Sequence, residues 1–219
     1  MAVAAPIDIR GLHFGFDNGP LFSDLDLRIE AGSRVGLTGP NGSGKTTLLH
    51  MLMGLLKPAA GTLSILGKLR KGEADFIEVR RRIGLQFQDP DDQLFCPTVA
   101  EDIAFGPLNN GASRDEAMIT VGQILEKLEL NGFENRVTHH LSAGEKRLVS
   151  LGTVLAMEPE VLLLDEPTAG LDEASEIRIA EILKELPQTM IVVSHDVAFL
   201  RGVCTSILRF NGGKLHPFE

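Results

Sequence analysis

The 219-residue chain has no tryptophan and no tyrosine; its aromatic side chains are 11 phenylalanines, with 6 histidines besides. Without Trp or Tyr, nothing can form an aromatic belt or an amphipathic membrane anchor. No run of about 18 apolar residues occurs, so no segment is expected to cross a bilayer as a helix. Residues 1–6 are too short and uncharged to act as a signal peptide. Cysteine is scarce. Cys96 and Cys204 lie far apart, fit no metal-ligand spacing, and read as free thiols in a reducing compartment. Basic residues are also in deficit, 21 Lys and Arg against 30 Asp and Glu, for a net charge of −9. That balance excludes a sequence-independent nucleic-acid binder, which needs a basic face. No internal repeat or low-complexity linker is visible. The length suits one α/β unit with a sizeable core.

Against these absences stands one strong motif, Gly39-Pro40-Asn41-Gly42-Ser43-Gly44-Lys45-Thr46-Thr47. It fits G-x-x-x-x-G-K-[ST], the phosphate-binding P-loop. Glycines let the backbone wrap a phosphate without side-chain clash, and several N–H groups point inward. Lys45 can reach the β- and γ-phosphates, and the Thr46 hydroxyl can ligate Mg²⁺. Residues 34–38 read as a strand before the loop and 47–53 as a helix after it, ending near Lys57-Pro58. The helix adds its positive N-terminal dipole to the site.

The N-terminal part alternates like half-buried strands: Ile7, Ile9 and Leu12, then Leu25, Leu27 and Ile29, then Leu63 and Ile65. Residues 161–164 and 190–193 are instead continuous apolar runs, as in parallel strands covered on both faces. A helix is expected over 173–185, ending before Pro187, and Asn211-Gly212 predicts a hairpin. In the middle, the 113–116 capping box precedes Met118, Val121, Leu125 and Leu128 on one helical face. Lys45 and Asp165 are too far apart for a simple crossover, which places a helical subdomain at about 89–158 within a core of about 1–88 and 159–219.

The run at 161–164 ends in Asp165 and Glu166. Acids at the carboxyl end of a parallel strand face the ligand crevice. Asp165 there suits Mg²⁺ and Glu166 suits a general base toward water. Ser142-Ala143-Gly144-Glu145 is a plain capping box opening a helix over about 145–157. A capped helix N-terminus with a nearby glycine is also a phosphate site. One P-loop means one nucleotide half-site per chain, so the natural ligand of this second motif is a γ-phosphate held by a second chain.

P-loop, Ser142 motif and acidic strand together resemble an ATP-binding-cassette (ABC) ATPase over essentially the whole chain. The resemblance implies a mostly parallel core sheet, an N-terminal antiparallel β-subdomain and an inserted helical subdomain. It implies ATP and Mg²⁺ as ligands. By likeness of motif, Gln88 corresponds to the glutamine that senses Mg²⁺ and the γ-phosphate, and Asp172 lies in the loop that crosses the dimer interface. His195 corresponds to the switch histidine, and Phe16 to the aromatic that stacks on adenine. Each also has a plain reading: loop residue, helix cap or core. Ala143 stands where the family usually has glycine, and Phe16 replaces the usual tyrosine; a phenyl face still stacks.

The stretches 84–95 and 99–107, with residues 142–147, are similar to energy-coupling-factor (ECF) importer ATPases, the cobalt/nickel type above all. That likeness implies a transmembrane coupling subunit, a membrane substrate-binding subunit, a second and identical ATPase chain, and a place on the cytoplasmic face of the cell membrane. The chain ends soon after the hairpin, without the longer C-terminal extension of the vitamin type. Leu94, Phe95 and Phe105 are either ordinary core or contacts for a helix of the membrane subunit. His139 and His140 lack a third ligand in view and read as loop residues. A conventional ABC transporter subunit, or a soluble ABC ATPase outside transport, remains the alternative.

Overall fold

The computed structural model describes residues 5–17 and 19–218. Strands β1 (Ile7–Phe16), β2 (Gly19–Ile29), β4 (Ala60–Ile65) and β5 (Lys68–Leu69) form an antiparallel sheet in the order β2-β1-β4-β5. Ile7, Ile9 and Leu12 are all buried, although Leu12 breaks the period of two. A register shift between Ile9 and Leu12 explains it. Gly11 sits there at φ 54 and its N–H donates to Asp26 Oδ1 at 2.7 Å.

The second sheet has the order β10-β9-β3-β8-β7-β6. It comprises β3 (Arg34–Thr38), β6 (Ile83–Gln86), β7 (Val161–Asp165), β8 (Thr189–Val193), β9 (Ser206–Asn211) and β10 (Lys214–Pro217). All its pairings are parallel except β9 with β10. Both faces are covered. Leu162, Leu164, Met190 and Val192 join one apolar cluster, while Val161, Leu163, Ile191 and Val193 join the other. Each such side chain contributes about 2 kcal/mol of burial, and the absence of a polar face explains the unbroken apolar runs.

Helix α1 (Lys45–Leu52) ends earlier than Lys57-Pro58 suggests. Gly54 takes φ 71, and a Cβ there would lie 2.2 Å from the Phe76 ring of α2 (Glu73–Arg82). Glycine therefore terminates the helix before proline can. Between β6 and β7 come a 3₁₀ turn (Pro90–Asp92), α3 (Val99–Asn109), α4 (Arg114–Lys127) and α5 (Ala143–Leu155). On α4 the buried face is Ala117, Val121, Ile124 and Leu125, with Leu128 just beyond; Met118 is exposed, contrary to the expected stripe. Ala117 joins the buried helical cluster instead. Then α6 (Glu173–Glu185) follows its Asp172 cap, and α7 (Val197–Val203) its Asp196 cap. The final hairpin turns at Gly212-Gly213, both at positive φ, so Asn211 closes the strand and does not enter the turn.

Candidate nucleotide-binding site

The loop from β3 to α1 is shaped by its glycines. Gly44 caps α1 at φ 103, and a Cβ on it would meet Phe22 Cε1 at 2.4 Å. Gly39 takes φ 145, and a Cβ on it would lie 3.0 Å from Phe210 Cβ and 3.2 Å from Phe210 O. A side chain at Gly44 would have to move the Phe22 ring, and at both places the positive φ favours glycine. Lys45 is buried, and its ammonium donates to Gly39 O (3.0 Å) and Pro40 O (3.1 Å). Burial lowers its pKa, opposed by Glu166 and then Asp165.

Asp165 is 2% exposed and Glu166 7%. Burial raises the Asp165 pKa; a hydrogen bond with the Thr46 side chain opposes this most, then the charges of His50, Lys45 and Arg147. Glu166 has φ 48, which non-glycine residues adopt rarely. Its N–H donates to Val193 O at 2.9 Å, so the edge of β8 holds the bend. His195, half exposed, follows β8. Its N–H donates to Glu166 Oε2 at 3.3 Å, and its Nε2 lies 3.3 Å from Glu166 Oε1, a close approach without hydrogen-bond geometry.

These residues meet around one cavity of about 730 Å³, lined by Phe16, Asn41, Gly42, Gly44, Lys45, Thr46, Thr47, Gln88, Asp165, Glu166 and His195. Gly39 is buried and Ser43 half-buried; neither lines it. Phe16 is exposed at the end of β1, edge-on to Phe14 with centroids 5.0 Å apart. Gly19, Pro20 and Leu21 complete that wall. Sequence reading missed these three, since strand pairing alone brings β2 back beside Phe16. Among the described residues, three buried oxygens near the loop find no partner: Ser43 Oγ, Asp165 Oδ1 and Glu166 Oε1. Unpaired carboxylate oxygens beside the Thr46 hydroxyl suit a divalent cation, which would offset their desolvation.

The second motif lies outside this cavity. Ser142 N-caps α5: its Oγ accepts from Glu145 N at 3.3 Å, and its N–H donates to Glu145 Oε2 at 2.7 Å. The helix thus starts at Ala143, two residues before the expected position. Arg136 pairs with Glu145 at 2.8 Å. A Cβ on Gly144 would lie 2.7 Å from Ser175 Oγ, and Ser175 itself bonds Asp172. Ser142, Gly144, Glu145 and Asp172 line neither the nucleotide cavity nor its neighbour of about 810 Å³; Ala143 lines the neighbour, together with Gln88, Asp165 and Arg147.

Farther off, Phe95 and Phe105 pack edge to face at 4.8 Å and remain 62% and 46% exposed. They border a groove of about 310 Å³. Leu94 is buried in the helical core and is no surface contact. His139 and His140 are exposed on a 3₁₀ turn.

Comparison with known proteins identifies the family and agrees with the fold. The family model for ABC transporters matches residues 22–169. A putative ABC transporter ATP-binding protein of Nitratidesulfovibrio vulgaris is 47% identical over 209 residues, covering 94% of this chain and 77% of that protein. The energy-coupling factor transporter ATP-binding protein EcfA of Methanothermobacter thermautotrophicus is 44% identical over 214 residues, covering 95% and 69%. Among solved structures, cbiO1 from Clostridium perfringens, part of the ABC transporter complex cbiONQ, has a TM-score of 0.88 at 32% identity, covering 97% of this chain and 87% of that one. A dimer of the ATP-binding cassette MJ0796 with ADP and Pi has a TM-score of 0.87 at 25% identity, covering 97% of each. The chain belongs to the ABC transporter family and is one of its ATP-hydrolysing subunits.

Proposed function

We propose that this chain powers an ECF-type importer, with cobalt or nickel ions as cargo, through ATP-driven closure of a head-to-tail pair of identical chains. The observation that carries the paired arrangement is the separation of two phosphate motifs: Lys45 faces the cavity, whereas Ser142 and Gly144 do not line it. The relatives named EcfA, and the fold of cbiO1, support the ECF assignment.

In this reading the chain is one cassette, a core of about 1–88 and 159–219 with a helical subdomain at about 89–158. Phe16 stacks on adenine, and Gly39, Asn41, Gly42, Ser43, Gly44, Lys45, Thr46 and Thr47 cradle the phosphates. Thr46, Asp165 and Gln88 would hold Mg²⁺, which neutralises charge on the β- and γ-phosphates. Glu166 accepts a proton from the attacking water as the bond from phosphorus to the bridging oxygen breaks. His195 steadies the γ-phosphate. From the partner chain come Ser142, Ala143, Gly144 and Glu145, with Asp172 at the interface. Hydrolysis removes the γ-phosphate bridge and reopens the pair. The groove beside Phe95 and Phe105 receives a helix of the transmembrane coupling subunit on the cytoplasmic face of the membrane. A separate membrane subunit selects the metal.

The test is capture of tagged Glu166→Gln protein from solubilised native membranes with MgATP. One coupling subunit, one small substrate-binding membrane protein and no second kind of ATPase chain is the expected catch. Two ordinary permease subunits would replace the ECF reading with a conventional transporter, and soluble partners alone would remove transport.

A further inference from the structure

Arg147 follows the Ser142 cap by five residues on α5 and is only 4% exposed. Its guanidinium reaches two loops. Nη1 donates to Gln88 O at 2.6 Å and to Phe87 O at 3.2 Å. Nη2 donates to Ala169 O at 3.4 Å. Nε is buried without a partner among the described residues. Burial lowers the Arg147 pKa, against the favourable charges of Asp89, Asp165 and Glu166. A buried cation is costly to maintain, and this one directs its planar fork at carbonyls. It therefore ties backbones together and is not one half of an ion pair.

Other bonds fasten the Gln88 segment to the same helix. Gln86 Nε2 donates to Arg147 O (2.9 Å) and Ser150 Oγ (2.8 Å). Gln93 Nε2 donates to Ser150 O (2.8 Å) and Thr153 Oγ1 (2.7 Å), while its Oε1 accepts from Phe87 N (3.0 Å). At the other loop, Ala169 N–H donates to Glu166 O at 3.1 Å. A movement of α5 thus carries both the Gln88 backbone and the turn after Glu166.

We propose that Arg147 is a positioning residue that locks Gln88 and the Glu166 turn to α5, so that a partner's nucleotide engaging Ser142 sets the hydrolytic geometry of this chain. The proposal rests on the reading of Gln88 as part of the hydrolytic machinery. A physical two-site tie of this kind is measurable as coupling between substitutions.

The experiment compares kcat, KM and ATP affinity of the full chain with MgATP for Arg147→Met, Gln88→Ala and the double variant. Arg147→Met is expected to lower kcat about tenfold while ATP affinity stays within about twofold. In the Gln88→Ala background the same substitution should cost less than about twofold. Equal losses in both backgrounds would overturn the proposal, because Arg147 would then act independently of Gln88. Wild-type turnover of Gln88→Ala alone would instead remove the reading beneath it, without any change at Arg147. If Arg147→Met fails to fold, as a thermal melt will show, Arg147→Lys replaces it in the same cycle. One ammonium cannot span the carbonyls of both loops, so a wild-type kcat in Arg147→Lys also overturns the tie.

Discussion

Glu166 shows how much local cost the site carries. A side chain at φ 48 is strained by about 1 kcal/mol or more, and its buried Oε1 has no hydrogen-bond partner. The β8 edge, through Val193 O, the His195 backbone and the Ala169 N–H hold it there. Such a placement makes sense where the carboxylate must accept a proton. Glu166→Gln keeps the shape and removes the base, so ATP binding should persist while hydrolysis falls about a hundredfold or more. Sizing that variant with MgATP should give a dimer; a monomer alone would contradict the shared site. Lys45 makes the complementary case. Its ammonium is buried under the loop, near two acids, and Lys45→Ala should weaken ATP binding about tenfold or more, as read by titration with a fluorescent nucleotide. Unchanged affinity would refute the phosphate role.

Among the elements, α2 and β5 illustrate a pairing with a pH signature. Glu78 on α2 bonds Lys68 and Arg70, which hold its carboxyl at about 2 in place of 4.5. A depressed folded value means the pairs favour folding above the ordinary carboxylate range, and that contribution disappears as pH falls from about 4.5 through about 2. Glu78→Gln should therefore lower Tm slightly at pH 7, and the difference should shrink as the pH is lowered from about 4.5 toward about 2. A constant offset at both values would assign the effect to packing. None of α2 was legible in the sequence, because it buries only Phe76 and Val79 and shows no apolar stripe. What was legible is what depends on neighbours in sequence: the glycines of the P-loop, the apolar β7 and β8, and the Ser113 and Ser142 caps. What was not legible depends on distant packing. Ala117 rather than Met118 faces the core, Gly144 is required by Ser175 on α6, and Arg147 meets carbonyls far from it in sequence.

At the scale of the molecule, one cavity gathers the side chains proposed to face the nucleotide, while the α5 N-terminus presents Ser142 to the exterior. A P-loop variant and a signature variant should therefore rescue each other when mixed, which no self-contained site allows. Lys45→Ala chains keep an intact signature, and Ser142→Arg chains keep an intact P-loop. In a mixed pair, the second chain's P-loop faces the first chain's signature, and one of the two sites is whole. Random pairing makes half the dimers mixed, so with independent sites about a quarter of wild-type turnover should return on mixing two inactive preparations. Ser142→Arg alone should bind nucleotide as the wild type does, since the nucleotide cavity lies elsewhere on its own chain. Mixing without any recovery, alongside confirmed exchange of subunits, would mean that each chain hydrolyses ATP with its own residues. Ser142 would then be only the cap that its bond from Glu145 N already makes it.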